Sequence, residues 1–235
     1  MRMRKKKNLV PRMERCSSVW VRQPEEHRGH WRELLGSDCP LYVELGCGKG
    51  RFTCDSAALE PQALFVAVER VPDAMVMAME RAVERQLTNV VFVDADAACL
   101  PDCFRPGEVD RIYLNFCDPW PSNGRAKRRL THPDFLNRYA AVLRGGGRIQ
   151  FKTDNRDLFE WSLLQFPKAG FELEEISRDL HKNGVQGVMT DYEAKFHAQG
   201  QPIFRCVARR RWDYRPVLPP AGRESHNGSG EKCTG

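Results

Sequence analysis

Acidic side chains recur where short apolar runs end. Leu41-Tyr42-Val43 leads to Glu44, Leu64 to Val68 leads to Glu69, Val90 to Val93 leads to Asp94 and Asp96, and Arg111 to Asn115 runs on to Asp118. Such runs read as buried strands. The carboxyl ends of strands are where open α/β sheets bind ligands. A carboxylate there can accept from ribose hydroxyls, accept from a base amino group, or face a cation. After Glu44 come Gly46, Gly48 and Gly50, with one residue between neighbours. Strand, glycine turn and helix make a nucleotide-type turn, in which the backbone passes close under a ligand and the helix N-terminus offers free N–H groups. The spacing is Glu-x-Gly-x-Gly-x-Gly rather than the dinucleotide G-x-G-x-x-G. An acid placed before the glycines opposes pyrophosphate and suits a nucleoside that carries a cation, such as S-adenosylmethionine with its sulfonium and amino group. Glu69 stands 19 residues after Gly50, where an acid is placed to accept from ribose hydroxyls. Asp94 or Asp96 either accepts from an adenine amino group or caps the turn that follows.

Asn115 to Leu130 concentrates a second kind of chemistry. Pro119 and Pro121 stop the strand, because proline removes ladder donors. Asp118 and Trp120 are left at its end, and Arg125, Lys127, Arg128 and Arg129 follow at once. An acid and an aromatic beside cations suit a nucleobase held flat while phosphates are gripped alongside. Trp120 serves either as a stacking face or as a wall of the cavity. A capped strand end with a solvated charged turn is the plainer reading. Lys plus Arg exceeds Asp plus Glu by 37 − 31 = 6, and the cations cluster near the N-terminus, at Arg125 to Arg129, and at Arg209, Arg210, Arg211 and Arg215. Three clusters beside an aromatic and acidic site favour nucleic acid as partner.

The positioning elements alternate. Helices are expected at Glu25 to Leu35, Arg51 to Leu59, Asp73 to Gln86 with Met75, Met79, Ala82 and Val83 on one face, Pro133 to Leu143, and Arg156 to Phe166. Strands are expected at Leu41 to Leu45, Leu64 to Glu69, Val90 to Val93, Asp110 to Asn115 and Arg148 to Lys152, then two closing strands at Phe171 to Ser177 and Ile203 to Arg209. Asp154 is either a further acid on the same sheet edge or the cap of the helix after it. Asp179 to Gln201 is too long for a hairpin and carries Thr190-Asp-Tyr-Glu193, and long loops in compact domains are often functional. The 235 residues suffice for one sizeable domain. Nine cysteines show no Cys-x-x-Cys, so no metal is expected, and their odd count without a secretion signal points to a reducing compartment. No run approaches the roughly 20 apolar residues of a membrane span.

Five motifs in one order carry a resemblance: Glu44-Leu-Gly-Cys-Gly-Lys-Gly50, Asn115-Phe-Cys-Asp-Pro-Trp-Pro121, Lys127-Arg-Arg-Leu-Thr-His-Pro133, Lys152-Thr-Asp-Asn155 and Thr190-Asp-Tyr-Glu193. Over about Leu41 to Arg209 the chain resembles the bacterial tRNA (guanine-N7)-methyltransferases, which modify guanine 46 in the variable loop. The resemblance implies the class I S-adenosylmethionine-dependent fold, a Rossmann-like α/β seven-stranded, mostly parallel sheet with helices on both faces and its last strand antiparallel. It implies cofactor contacts at Glu44, Gly46, Gly48, Glu69, Asp96 and Asp118. Asp96 is chosen over Asp94 because the family's Asp-Ala-x-x-Leu is met by Asp96-Ala-Ala-Cys-Leu100. It implies Asp118 as the catalytic acid, and substrate contacts at Asp154, Thr190, Asp191, Tyr192, Glu193, Arg125, Lys127, Arg128 and Arg129. Where the family usually has lysine after Asp-Pro-Trp-Pro this chain has Ser122, so the N-terminal arm or Arg125 is expected to compensate.

The expected organisation is a basic flexible arm over residues 1–24, the methyltransferase domain over 25–213 and a disordered tail over 214–235. The expected partner is tRNA, in the cytoplasm, for a monomer or homodimer with neither membrane nor metal. Asp118 is expected to position the base and stabilise its developing charge, helped by Asp154 or Glu193. A methyltransferase acting on another RNA or on a protein, a non-catalytic RNA-binding module that keeps a cofactor fold, and a nicotinamide dehydrogenase are the alternatives.

Overall fold

The apolar runs become strands β1 (Trp20–Val21), β2 (Leu41–Leu45), β3 (Leu64–Glu69), β4 (Val90–Asp94), β5 (Val109–Asn115), β6 (Leu143–Thr153), β7 (Phe171–Ser177) and β8 (Phe204–Arg210). The computed structural model describes residues 6–36 and 38–218. Its strands form one sheet in the order β1-β4-β3-β2-β5-β6-β8-β7. Neighbours from β1 to β6 are parallel, while β8 runs antiparallel to both β6 and β7. Successive residues of β2 alternate between two cores: Leu41, Val43 and Leu45 pack in one, Tyr42 in the other. That is why the parallel strands read as unbroken apolar runs, since both faces are covered.

The sequence predicts seven strands, and the eighth is β1. It belongs to the stretch read as a flexible basic arm, which is instead folded from Leu9 onward. Helix α1 (Leu9–Arg15) and the turn after it bury Met13, Cys16 and Val19 in the same core as Met75, Val76 and Met79 of helix α3 (Pro72–Glu84). Arg12 donates to both carboxylate oxygens of Glu80 on α3, Nε at 2.7 Å and Nη2 at 2.5 Å. Leu9, Met13 and Cys16 have helical spacing, but the cations between them mask it. Residues 1–5 lie outside the described residues, as does the expected tail from 219 onward.

The remaining helices are α2 (Arg51–Leu59), α4 (Leu100–Cys103), α5 (Pro133–Val142), α6 (Arg156–Leu163) and α7 (Asp191–Ala198). The helix expected over Glu25 to Leu35 is absent. Two 3-10 turns, Pro24–His27 and Trp31–Leu34, replace it. Gly29 between them has φ +90°, outside helical space. The Trp31 indole is wholly buried, stacks on Phe104 at 5.2 Å and donates to the Cys103 carbonyl at 2.8 Å. Tertiary burial of one indole thus overrides a local helical pattern. Gly145 to Gly147 lie within β6, with Trp212 packed on Gly145 and Gly146. No helix among the described residues is long and apolar enough to cross a membrane.

Helices α2 and α3 flank the glycine turn and approach closely at Gly50. A Cβ there would stand 2.5 Å from Ala78 Cβ and 2.9 Å from Ala78 Cα, and φ is +72°. Gly50→Ala is expected to lose about 1–3 kcal/mol of stability from overpacking, more if strain adds, read as a lower urea midpoint. An unchanged midpoint would mean that the two helices can part without cost.

Candidate active site

The carboxyl ends of β2, β3, β4 and β5 open onto two adjoining cavities. One, of about 580 Å³, is lined by Asp96, Ala97, Trp120, Lys127 and Arg128. The other, of about 460 Å³, is lined by Glu44, Gly48, Phe52, Thr190, Asp191 and Tyr192. Gly46, Glu69, Val71, Asn115, Phe116 and Asp118 line both. Asp118 therefore stands on the wall that the cavities share, and its side chain is exposed.

Glu44 is only 2% exposed. One carboxylate oxygen accepts from the Thr53 hydroxyl of α2, and the other from Asn115 Nδ2 of β5 at 2.9 Å. Burial raises its pKa, while the Thr53 and Asn115 hydrogen bonds and the Lys152 charge act against that rise. Asn115 is thereby oriented by Glu44, and its Oδ1 is left buried with no partner. Glu69 accepts from the Gly48 N–H and the Val71 N–H, each at 2.9 Å. Gly46 and Gly48 have φ of +77° and +57°, and no atom lies within 4 Å of where a Cβ would stand. The turn is left-handed and open on its cavity side, which glycine alone adopts without strain. Asp96 both lines the cavity and caps the 3-10 turn Ala97–Cys99 by accepting from the Ala98 N–H at 2.9 Å, so the two roles read from the sequence coexist.

These residues fit an adenosyl group that carries a cation. The unpartnered Asn115 oxygen and the desolvated Glu44 beside it call for a charged donor. Glu69 and Asp96 offer acceptors at the neighbouring strand ends.

The substrate residues expected from the sequence divide. Arg125, Lys127 and Arg128 are exposed, with the guanidinium carbons of Arg128 and Arg125 lying 5.0 and 5.9 Å from the Trp120 ring centroid. Arg129 is buried. Ser122 is exposed, just before the 3-10 turn Asn123–Arg128. Asp154 is exposed at the end of β6 and is not the cap of α6; Asn155 is, accepting from the Leu158 N–H at 2.8 Å. Within the long polar segment the structure forms α7, which the sequence reading left without structure. Thr190 and Glu193 make its capping box. Asp191 and the 57%-exposed Tyr192 line the cavity.

Glu193 is wholly buried. Its Oε2 accepts from Lys152 Nζ at 2.6 Å and from the Thr190 N–H at 3.2 Å, and its Oε1 pairs with His181 Nε2 at 2.9 Å. These bonds commit the carboxylate to holding α7, so the expectation that Glu193 assists Asp118 at the base is corrected. The sequence reading gave no role to Asn115, which lines both cavities, or to Lys152 and His181, which hold Glu193 behind them. Asn115 carried a signal, being a polar residue that closes an apolar strand.

Residues 38–206, which include every residue placed at the site here, match the family described as "Putative methyltransferase". The tRNA (guanine-N(7)-)-methyltransferase of Geobacillus kaustophilus is 44% identical over 211 residues, covering 89% of this chain and 97% of that protein. The protein of the same description from Listeria monocytogenes is 41% identical over 210 residues, covering 89% and 98%. Among solved structures, the 16S rRNA methyltransferase KamB has a TM-score of 0.61 at 17% identity, covering 78% of this chain and 93% of that one. A 16S rRNA (adenine(1408)-N(1))-methyltransferase from Catenulisporales acidiphilia, solved with its cosubstrate SAM, has a TM-score of 0.56 at 16% identity, covering 83% and 94%. At these identities the structural likeness speaks for the fold alone.

The raised pKa of Glu44 fixes the sign of one pH effect. The folded state keeps this proton to higher pH than the unfolded chain does, so Glu44 lowers stability as pH rises through and above the usual carboxylate range. Glu44→Gln keeps the shape and lacks this loss. Its stability relative to wild type is expected to increase between about pH 4 and pH 7, measured by urea unfolding. Its affinity for S-adenosylmethionine, measured by calorimetry, should fall by about tenfold or more. A constant stability difference across that range would place the carboxylate in a more hydrated setting than the structure gives it.

Proposed function

This chain belongs to the tRNA (guanine-N7)-methyltransferase family, and from that premise we propose that it transfers the methyl group of S-adenosylmethionine to N7 of guanine 46 in the variable loop of tRNA. The observation that carries the reading is Asp118 on the wall common to both cavities, with the exposed cations Lys127 and Arg128 beside it. When bound, S-adenosylmethionine supplies an electrophilic methyl group on a sulfonium. Glu44 and the Asn115 oxygen would face its amino group, Glu69 its ribose, and Asp96 its adenine edge. Gly46 and Gly48 leave room for it against the backbone.

Guanine N7 has a lone pair and no proton, so the chain needs no strong general base there. What N7 acquires is positive charge. The Asp118 carboxylate stabilises that charge and orients the guanine edge. Much of the rate comes from holding the reacting atoms in line. Arg125, Lys127 and Arg128 grip phosphates near the base, while Thr190, Asp191 and Tyr192 bound the cleft from α7. Asp154, exposed at the neighbouring strand end, is the second acid available to the substrate. A tRNA substrate supports the reading of a cytoplasmic protein, acting as a monomer or homodimer.

Two transcripts test the reading, one with guanine at position 46 and a matched one with adenine. Transfer of labelled methyl to the guanine transcript alone, with product cleavable at a 7-methylguanosine, is the expected result. Equal transfer to both would discard the site but keep the activity, and cofactor binding without transfer would favour the RNA-binding module. Asp118→Asn should lower kcat by about 10²–10³-fold with the melting temperature unchanged, because the side chain is exposed. Near-normal turnover would remove Asp118 from the mechanism.

A further inference from the structure

The turn that presents Asp118 is held from behind. Phe116 has φ +53° and Trp120 has φ +41°, the left-handed region that residues with side chains enter only at a cost. Two such residues on either side of Asp118 require something to hold the backbone between them. Arg129 does so. Its Nε donates to the Pro119 carbonyl at 3.1 Å and to the Trp120 carbonyl at 3.2 Å, and its Nη2 donates to the Trp120 carbonyl at 3.0 Å. The guanidinium carbon lies 4.4 Å from the ring centroid of Trp161, on α6. Arg129 is 6% exposed, whereas Arg125, Lys127 and Arg128 are exposed.

The sequence presents four cations as one basic patch. The fold divides them. A phosphate contact needs donors that reach solvent, and Nε and Nη2 of Arg129 are committed instead to the Pro119 and Trp120 carbonyls. A planar fork that grips two consecutive carbonyls, with its guanidinium carbon 4.4 Å from a tryptophan ring centroid, is suited to fixing a backbone geometry.

We infer that Arg129 is a positioning residue for methyl transfer: through the Pro119 and Trp120 carbonyls it sets the turn that aims Asp118 at the guanine, and it does not bind tRNA. This inference rests on the methyl-transfer reading above. The arrangement also links two functions within five residues. The exposed Arg125 and Arg128 lie over the Trp120 ring, while Arg129 holds the carbonyl of the same residue. Phosphate gripping and placement of the acid thereby share one backbone turn.

The test separates rate from affinity. Wild type, Arg129→Lys, Trp161→Leu and Arg128→Gln are compared for kcat at saturating tRNA, for tRNA dissociation constant, and for the salt dependence of that constant. Lysine keeps the charge and a donor but loses the fork. For Arg129→Lys kcat is expected to fall about ten- to hundredfold, as misplacement of reacting groups by about 1 Å produces. Its tRNA dissociation constant should stay within about twofold of wild type, and its salt slope should not change. Trp161→Leu, which alters no charge, should move kcat in the same direction. Arg128→Gln should do the opposite, weakening binding and lowering the salt slope by about one. If Arg129→Lys fails to fold, Trp161→Leu carries the same readouts. A kcat within about twofold of wild type, or a salt slope that falls as it does for Arg128→Gln, overturns the positioning role. Failure of the functional reading is visible separately, as no transfer by the wild-type chain.

Discussion

A carboxylate taken out of water organises the centre of this molecule. Glu44 stands one residue before the end of β2 inside the sheet, where desolvation opposes its charge. The charge is tolerated because Thr53 of α2 and Asn115 of β5 donate to its two oxygens and Lys152 of β6 lies close enough to favour it. One side chain thus joins the strand before the glycine turn, the helix after it and the central strand that leads to Asp118. Breaking a buried charged network by removing one partner typically costs about 3–5 kcal/mol, a large part of the stability of a single domain. The glycine turn, the Asn115 oxygen and the start of the Asp118 turn therefore keep fixed relative positions.

The same device holds two further functional segments. Glu193 is buried against Lys152 and His181, and Lys152 Nζ also donates to the Val188 carbonyl at 2.9 Å. His181 Nδ1 accepts from the Gln186 N–H at 3.2 Å, so the ring proton sits on Nε2 and points at Glu193. A segment with few apolar residues is fastened to the sheet by buried polar bonds, and α7 starts where that fastening ends. Arg129 performs the corresponding task for the Asp118 turn. Segments that carry function on a sheet edge cannot rely on a large apolar face, so buried charges with directional bonds take its place.

The exposed charges have a different task. Arg125, Lys127 and Arg128 remain in solvent beside the cleft, where a polyanion can exchange its counterions for them. Cations at the N-terminal end are partly internal instead: Arg12 is tied to Glu80 of α3. The formal charge of +6 therefore overstates what is free to meet a phosphate. Position in the fold decides which cations serve binding and which serve architecture.

The strands of the sheet and the acids at their ends were legible from sequence, because apolar runs and period-breaking acids are local signals. Glu44, Gly46, Gly48, Glu69, Asp96 and Asp118, the residues expected at the cofactor, all line the cleft. What local signals could not give was the partner each polar residue takes up. Helix α1 and strand β1 arise from contact with α3 and β4, some seventy residues away in sequence, and the helix expected before β2 yields to the burial of Trp31. Glu193 and Arg129 read as substrate contacts by type and motif, yet both are buried. Sequence determines which charges exist and which strand ends they stand near. Only the tertiary structure decides whether a charge meets water, a ligand or another buried side chain, because desolvation and hydrogen-bond geometry are set by neighbours that the chain brings together from far apart.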